Sequence, residues 1–402
     1  MSSLEGQDFT PPERLIASRE VDVAVIGAGI AGSSLAKALA DRGWRVALID
    51  RRAFPRHKVC GEFLSPEAMG MLNELGLAHR IEALRPAVVR AARLTAYGAE
   101  PVRVPLPGTA WGLSRYALDE TLHEQVRSAG AEVATGTSVT ALRRGPQHFA
   151  LGLKRDGRTE LVRAHAVIGA WGGNGRIPGL AGAGRPKRET SPYMGVKSHF
   201  TGCTVSDEVE LYFFAGGYLG LSPAGDGIVN AAALIDRRTC GTAPTTVQGW
   251  LELALTRCPA LSRRLAGAVP IADSQAAVAP VRLYGKPVAW DGVPLVGDAC
   301  VTIPPLCGDG MSMALRAAQL CAASADRYLK GELTMAAWEA DYAHAVRAEF
   351  ARPLRWGRLL QRVSAHPALA RLALAAAARL PGLARRLVLA TRLSGREAAA
   401  DG

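Results

Sequence analysis

Residues 21–50 read VDVAVIGAGIAGSSLAKALADRGWRVALID. A short β-branched run leads into a G-x-G-x-x-G turn, a helical pattern follows, and a second apolar run ends at Asp50. Gly27 permits the tight turn, Gly29 lets a pyrophosphate approach the backbone, and Gly32 lets helix and strand pack closely. Asp50 can accept hydrogen bonds from ribose hydroxyls. The stretch predicts a βαβ unit that binds a dinucleotide at the N-terminus of its helix.

The composition is that of an ordinary globular chain. Of 402 residues, 49% are apolar and 21% charged, which excludes a disordered or collagen-like chain and suggests two or three domains or one large domain with an insert. Seven scattered cysteines without a C-x-x-C pair indicate neither a disulfide framework nor a zinc site, so we expect no metal. Without a signal-like N-terminus or a long uncharged apolar run, the chain is expected to be cytoplasmic.

The pattern along the chain predicts an α/β fold of Rossmann type with an inserted sheet. Further strands are expected at 132–135, 166–168 and 293–297, and helices at 114–130 and 309–329. Between 185 and 285 aromatic and β-branched residues alternate with Gly and Pro punctuation, which favours an antiparallel sheet. The predicted boundaries are a dinucleotide-binding domain in two parts (1–184 and 286–350), a substrate sheet (185–285), and a C-terminal helical tail (351–402) broken near Pro367 and Pro381.

A second motif distinguishes the class of dinucleotide. Residues 292–314 read GVPLVGDACVTIPPLCGDGMSMA, and this stretch resembles the flavoprotein monooxygenase superfamily, whose best-known fold is that of p-hydroxybenzoate hydroxylase. The resemblance implies that Gly297-Asp298 contacts the ribose of FAD. It also implies that the loop from Pro304 to Met311 lies beside the isoalloxazine ring. A helix that begins there would stabilise the negative charge of reduced flavin.

Three further segments are similar to the same superfamily. Residues 55–62 (PRHKVCGE) resemble the P-x-x-K-x-C-G-E/G stretch of its geranylgeranyl-reductase-like branch, and residues 216–220 (GGYLG) resemble a sheet-edge segment of that branch. Residues 114–119 (SRYALD) resemble an S-R-x-x-L-D stretch whose arginine reaches FAD. Arg51 could meet a 2′-phosphate, but Asp50 argues against one. The residues expected to bind FAD are Gly27, Gly29, Ala31, Gly32, Asp50, Arg51, Lys58, Cys60, Gly61, Arg115, Gly297, Asp298, Pro305, Gly308, Gly310 and Met311.

One position departs from the family pattern. Many aromatic hydroxylases carry an Asp-Gly motif after the third Rossmann strand, where this chain reads Gly169-Ala170-Trp171-Gly172. Trp171 in place of the acid puts the use of a nicotinamide, or its mode, in doubt. Because no second G-x-G-x-x-G exists, we expect NADPH or NADH to bind transiently at the flavin, or a partner to supply reduced flavin.

The resemblance indicates the cofactor more specifically than it indicates the reaction, because the flavin itself carries the chemistry. The analogy of fold favours a monooxygenase that oxidises an aromatic or lipophilic secondary metabolite through a flavin hydroperoxide, with His199, Tyr212 or Tyr218 as candidate catalytic residues. The alternative is double-bond reduction in an isoprenoid, to which Cys60 or Tyr218 could contribute. Flavin-dependent halogenation lacks its W-x-W-x-I-P motif, since no two tryptophans are two positions apart. A binding flavoprotein without turnover is the remaining class.

Basic residues are concentrated in the tail. Residues 351–402 hold ten arginines, no lysine and two acids, whereas the rest of the chain is near neutral and indicates no nucleic-acid partner. Arg352, Arg355, Arg358 and Arg362 recur at helical spacing. Such a helix could lie on an anionic membrane surface, contact an acidic carrier protein, or present a solvated face.

Overall fold

Two β-sheets organise the protein. The computed structural model describes residues 15–177 and 191–393. Most of the N-terminal segment before the first strand, the predicted boundary between 184 and 185, and the last nine residues of the predicted tail lie outside the described residues.

The elements follow in chain order. The strands are β1 (Glu20–Ile26), β2 (Val46–Ile49), β3 (Phe63–Leu64), β4 (Ala87–Ala96), β5 (Val102–Gly112), β6 (Glu132–Ala134), β7 (Ser138–Arg144), β8 (Phe149–Arg155), β9 (Arg158–Gly169), β10 (Tyr193–Thr201), β11 (Glu208–Phe214), β12 (Gly217–Pro223), β13 (Val229–Asp236), β14 (Val269–Pro270) and β15 (Ala276–Val278). The helices are α1 (Ile30–Ala40), α2 (Ala68–Glu74), α3 (Ala78–Glu82), α4 (Arg115–Ser128), α5 (Val247–Arg257), α6 (Pro259–Arg264), α7 (Gly310–Leu329), α8 (Met335–Ala365), α9 (Pro367–Arg379) and α10 (Pro381–Thr391).

The first sheet has the order β6-β2-β1-β9-β8-β7. Strands β6, β2, β1 and β9 run parallel, and β8 and β7 add antiparallel strands at one edge. Val23, Ala24 and Val25 of β1 are fully buried, as expected for a parallel strand covered on both faces. Helix α1 packs against α4 and α7. The Rossmann-type prediction is therefore confirmed.

The second sheet has the order β14-β10-β13-β12-β11-β4-β5-β3, with β15 paired to β10. It is antiparallel except where β4 runs parallel to β11. The predicted inserted sheet is present, but it is larger than segment 185–285, because β3, β4 and β5 come from the first segment of the chain. The sequence of β4, AVVRAARLTA, lacks the clean alternation by which a half-buried strand is recognised.

The C-terminal half differs from the prediction in two places. Residues 293–297 form no strand: Leu295 makes only an isolated bridge to Gly169, since Pro294 offers no N–H. Helix α8 runs through position 350, so no boundary between domain and tail exists there. Helices α9 and α10 begin at Pro367 and Pro381, as predicted, and pack against the second sheet. No described helix is both long and apolar enough to cross a membrane.

Candidate functional site

The glycine turn between β1 and α1 has two positions that only glycine fits. Gly27 has a φ of +114°, and a Cβ there would lie 2.2 Å from the carbonyl oxygen of Ala170. A Cβ on Gly32 would lie 1.8 Å from the carbonyl oxygen of Gly27. At Gly29 the nearest atom to such a Cβ is the Lys58 Nζ, 3.4 Å away. The fold therefore requires Gly27 and Gly32, whereas Gly29 leaves open space at the helix N-terminus.

Asp50 supports this turn from the end of β2. Its Oδ2 accepts a hydrogen bond from the Ala28 N–H at 2.8 Å, and its Oδ1 accepts one from the Arg52 N–H at 2.8 Å. Arg51 is exposed. Among the described residues, Ser33 Oγ and Arg56 Nε are buried without a hydrogen-bond partner. Such orphaned polar groups beside an open helix N-terminus fit a polar ligand such as the diphosphate part of FAD.

The second motif lies against the first. A turn from Gly297 to Ala299 packs on the start of α1, where a Cβ on Gly297 would lie 2.9 Å from the Cβ of Ala31. The Asp298 side chain is exposed and opens onto the cavity described below. Two motifs that are far apart in the sequence thus line one site.

The loop after this turn leads into α7. A short turn from Pro305 to Cys307 ends at Gly308, whose φ of +73° places it against the Phe63 ring. Gly310 is the first residue of α7, and Met311 is buried in the core beside it. Pro305 and Gly308 of this loop line the cavity described below, and their place beside the isoalloxazine ring stays a prediction from the resemblance.

Two cations lie near the glycine turn. Lys58 Nζ and Arg115 Nη2 are each 2.8 Å from the carboxylate of Asp119, which is fully buried. Burial alone would raise the pKa of Asp119, but the two neighbouring charges hold it below the usual value. Burial lowers the pKa of Lys58 to about 8, although Asp119 opposes this shift. Asp119 therefore fixes the predicted residues Lys58 and Arg115 in place, and this acid is the last residue of the SRYALD motif at 114–119.

A buried charge cluster lies behind these residues. The Glu62 Oε1 accepts hydrogen bonds from Lys197 Nζ and from the Arg115 N–H, both at 3.0 Å, and Glu62 Oε2 lies 2.6 Å from His199 Nε2. Lys197 Nζ also lies 2.8 Å from His199 Nε2 and 3.2 Å from His57 Nδ1. Burial and the Lys197 charge lower the pKa of His57 to about 4.

This cluster contains the ligand types of a metal site, since atoms of His57, Glu62 and His199 lie within 4.8 Å of one another. The Lys197 ammonium, however, is within hydrogen-bonding distance of one atom from each of these side chains. We therefore assign the positive charge of the cluster to the lysine.

A cavity of about 370 Å³ adjoins the cofactor residues. Cys60, Gly61, Asp298, Pro305 and Gly308 form one part of its wall. Most of the rest is apolar and comes from the second sheet and from helices α8, α9 and α10, so the predicted tail is a wall of this cavity. Its sheet wall includes Val209, Leu211 and Phe213 of β11, and its helical wall includes Leu374, Ala377 and Val388.

Two of the predicted catalytic residues line this cavity. The Tyr218 hydroxyl is buried near the Leu306 backbone without meeting hydrogen-bond geometry to any described residue, and burial raises its pKa well above the usual value. The Cys60 Sγ accepts a hydrogen bond from the Glu62 N–H at 3.3 Å, and burial raises the pKa of its thiol. Both groups therefore hold their protons at neutral pH.

The other two candidates lie elsewhere. His199 belongs to the buried cluster and contacts Glu62 rather than the cavity. The prediction that Tyr212 faces the substrate was wrong: its hydroxyl donates to Glu210, and its ring lies in the apolar cluster that also contains Trp250 of α5. Strand alternation explains this placement, because Leu211 and Phe213 occupy the cavity face of β11 and Tyr212 must point to the opposite face.

Two functional candidates, Lys197 and Arg392, were not predicted from the sequence. A lone lysine in the apolar strand β10 is an unusual residue that could have been singled out. Arg392 gave no such signal among ten tail arginines, yet it is buried, lines the cavity, and contacts Asp309 at the N-terminus of α7.

Comparisons with known proteins indicate FAD as the cofactor. The family model described as FAD binding domain matches residues 20–339. Digeranylgeranylglycerophospholipid reductase 2 of Methanopyrus kandleri is 29% identical over 351 residues, which cover 84% of this chain and 85% of the relative. Menaquinone reductase of Mycolicibacterium smegmatis is 27% identical over 321 residues, 75% of each chain.

The fold is also shared with proteins of a different named activity. The structure of a myxobacterial chondrochloren halogenase superposes with a TM-score of 0.73 at 23% identity, and the match covers 82% of this chain and 79% of that one. The sequence relatives confirm the resemblance to the geranylgeranyl-reductase-like branch of the superfamily. The chain belongs to the FAD binding domain family and is an FAD-dependent oxidoreductase.

Proposed function

We propose that the protein reduces carbon–carbon double bonds in a long apolar substrate of the isoprenoid class. The observation that carries this proposal is the cavity of about 370 Å³, whose mostly aliphatic wall continues directly from the FAD-site residues Cys60, Asp298 and Gly308. An apolar cavity of this kind binds substrate through buried apolar surface rather than through polar contacts. The names of the two sequence relatives, reductases of an isoprenoid lipid and of a quinone, support the same substrate class.

The chain's own groups fit the chemistry of reduction. Bound FAD in its reduced form would supply the hydride for one carbon of the double bond, and a proton must reach the other carbon. Tyr218 is the preferred proton donor, because it lines the cavity and its hydroxyl has no hydrogen-bond partner among the described residues. Cys60 is the second donor candidate, since its protonated thiol lies in the same wall.

The electron donor is part of the proposal. Trp171 follows β9 beside the glycine turn, and its indole lies over Gly169, where a Cβ would be only 2.4 Å from the ring. This ring takes the place of the acid that many related hydroxylases carry. We propose that NADPH or NADH reduces the flavin in a transient encounter at the cavity side, with no dedicated nicotinamide domain.

Monooxygenation is the second candidate, and one observation favours it. Glu62 and His199 are joined at 2.6 Å behind the cavity wall and could act as a base that ionises a phenol. An aromatic substrate would then gain one oxygen atom. Neither Glu62 nor His199 lines the cavity, whereas Val59, Cys60 and Gly61 do, which is why reduction is the preferred proposal.

The test is a product analysis by mass spectrometry. FAD-loaded protein, reduced without oxygen, is incubated with a geranylgeranyl lipid or with menaquinone. We expect products heavier by two hydrogens for each bond reduced. Menaquinone samples are reoxidised before the mass is measured, because reduction of the quinone ring to the quinol adds the same two hydrogens. Products heavier by one oxygen atom in aerated buffer would support monooxygenation instead, and unchanged substrates under both conditions would contradict the proposed reduction.

A cavity variant makes the test specific. Ala232 lines the cavity, and Ala232→Phe should shorten the longest chain accepted and raise KM while the flavin content stays unchanged. Ala232→Val is the graded control, with a smaller effect expected. Tyr218→Phe should lower kcat by roughly a hundredfold or more if its hydroxyl donates the proton.

A further inference from the structure

A long part of the tail carries basic residues without any acid. No Asp or Glu occurs between Glu349 and Glu397. Within the described part of this stretch, Arg392 alone forms an ion pair with an acid. The exposed arginines of the stretch are Arg352, Arg355, Arg362, Arg371, Arg379, Arg385 and Arg386. An uncompensated basic surface of this extent attracts an anionic partner.

Helix α8 shows where anionic groups could bind. A groove on this helix is lined by Arg347, Arg355, Arg358 and Arg362, beside Trp356. Burial and the charge of Arg362 lower the pKa of Arg358, and the Arg358 Nε is buried without a hydrogen-bond partner among the described residues. The Arg358 Nη2 donates to the Gly285 carbonyl oxygen, which leaves the Nε as the unpaired donor of this guanidinium. The repulsion between Arg358 and the three other arginines of the groove would be relieved by a phosphate group.

Helices α9 and α10 carry a second, independent feature, because each is apolar on two faces. Their inner side chains, such as Leu374 and Val388, line the cavity. On the outside Leu369 and Leu372 of α9, Leu380 between the two helices and Leu389 of α10 are exposed, and Leu372 is 68% accessible. Exposed arginines stand between these leucines. Leucines interleaved with arginines are typical of helices that lie in the surface of a bilayer.

We propose that α8, α9 and α10 dock on an anionic lipid bilayer, with the arginines at the lipid phosphates and the exposed leucines of α9 and α10 among the acyl chains. An acidic protein would neutralise the arginines, but it would offer no acyl chains into which the four exposed leucines could insert. The docking does not depend on the proposed reaction. It deepens that proposal, since the same two helices separate the bilayer from the cavity and would let a lipophilic substrate pass between them.

The experiment is vesicle flotation with the full, FAD-loaded chain. Vesicles contain either phosphatidylcholine alone or phosphatidylcholine with about one-third phosphatidylglycerol, a range in which each basic residue contributes to binding. We expect flotation with the anionic vesicles only, and less of it at high salt. The double variant Arg385→Glu/Arg386→Glu should weaken binding by about tenfold or more. Leu372→Asp should weaken it by about tenfold through the lost apolar insertion.

Matched controls lie on the first sheet. Arg143 and Arg144 are an adjacent exposed pair in β7, and Leu161 of β9 is 61% accessible. Arg143→Glu/Arg144→Glu and Leu161→Asp change the same charge and the same apolar area, and both should float as the unaltered chain does.

Three results would overturn the proposal. The first is that the unaltered chain floats with neither kind of vesicle. The second is that the control variants on the first sheet lose as much vesicle binding as the tail variants do. The third is loss with the arginine variant but full binding by Leu372→Asp, which would point to an acidic protein as the partner. Because flotation measures no turnover, its failure is distinguishable from failure of the proposed reduction.

Discussion

The Lys197 ammonium lies 3.0 Å from a carboxylate oxygen of Glu62, and neither side chain is exposed. Lys197 is the fifth residue of β10, and Glu62 follows the Cys60-Gly61 step with a φ of +55°. Burial of either charge alone would be costly, so each requires the other. The pair, with His199 and His57, holds the segment that lines the FAD site against the second sheet.

Replacement of Lys197 should destabilise the protein strongly. Lys197→Met leaves the buried Glu62 carboxylate with only His199 as a possible counter-charge, and we expect a loss of about 3 kcal/mol in the free energy of unfolding. Urea unfolding measures this change. The double variant Lys197→Met/Glu62→Gln removes both charges and should recover part of the loss. Additive losses in the double variant would show that the two residues are not coupled.

The pH dependence of stability should contain a contribution from His57. Burial and the Lys197 charge lower its pKa from 6.5 to about 4, so between these values the unfolded chain binds a proton that the folded chain does not. Stability therefore falls as the pH falls from 6.5 to about 4. His57→Gln should remove this part of the slope. The decline below this window should remain, because Glu62, whose pKa is lowered, still loses its stabilising charge there. Urea unfolding across this range checks the prediction, and an unchanged slope in His57→Gln would contradict it.

Alanine variants at two glycines of the turn should distinguish an effect on folding from an effect on cofactor binding. Gly32→Ala places a Cβ 1.8 Å from a backbone oxygen and should cost more than about 2 kcal/mol. Gly29→Ala meets only the flexible end of Lys58, so the apoprotein should lose less than about 1 kcal/mol while FAD affinity falls by about tenfold or more. Unfolding of the apoprotein and flavin absorbance of the purified holoprotein measure the two effects.

The control for these glycines is Gly70 in α2, where a Cβ would meet nothing within 4 Å. Gly70→Ala should retain full flavin and gain about 0.5–1 kcal/mol, since alanine favours the helix. Normal flavin content in Gly29→Ala would argue against close approach of the pyrophosphate at that position.

Removal of Arg392 should loosen α10 and the loop before α7. Its guanidinium contacts Asp309, and burial raises the pKa of Asp309 to about 8 despite this contact. In Arg392→Met the carboxyl loses its counter-charge, and its ionised form becomes costlier still. The loss of stability should therefore be larger at about pH 9, where the wild-type carboxyl is ionised, than at about pH 6. Arg386→Met, an exposed arginine of the same helix, should show no such difference in urea unfolding at either pH.

The cofactor half of the protein could be predicted from local patterns. The strand, the glycine turn and the helix of this half follow one another directly in the sequence, and Asp50 accepts a hydrogen bond from the Ala28 N–H only 22 residues before it. The sequence also indicated the starts of α9 and α10, because proline is favoured in the first turn of a helix. The amino-acid sequence alone thus determined the Rossmann-type core and indicated FAD as the cofactor.

The substrate half depended on contacts between distant segments. Tyr212 and Tyr218 are equivalent as sequence signals, yet only Tyr218 faces the cavity, because the register of β11 against β12 decides which face each ring occupies. Glu62 meets Lys197 across 135 residues, and Arg392 meets Asp309 across 83. No local pattern encodes such pairs, because they arise only when the sheet and the C-terminal helices pack around one cavity. The tertiary structure alone therefore decided which charges are buried together and that the arginine-rich tail forms a wall of the cavity.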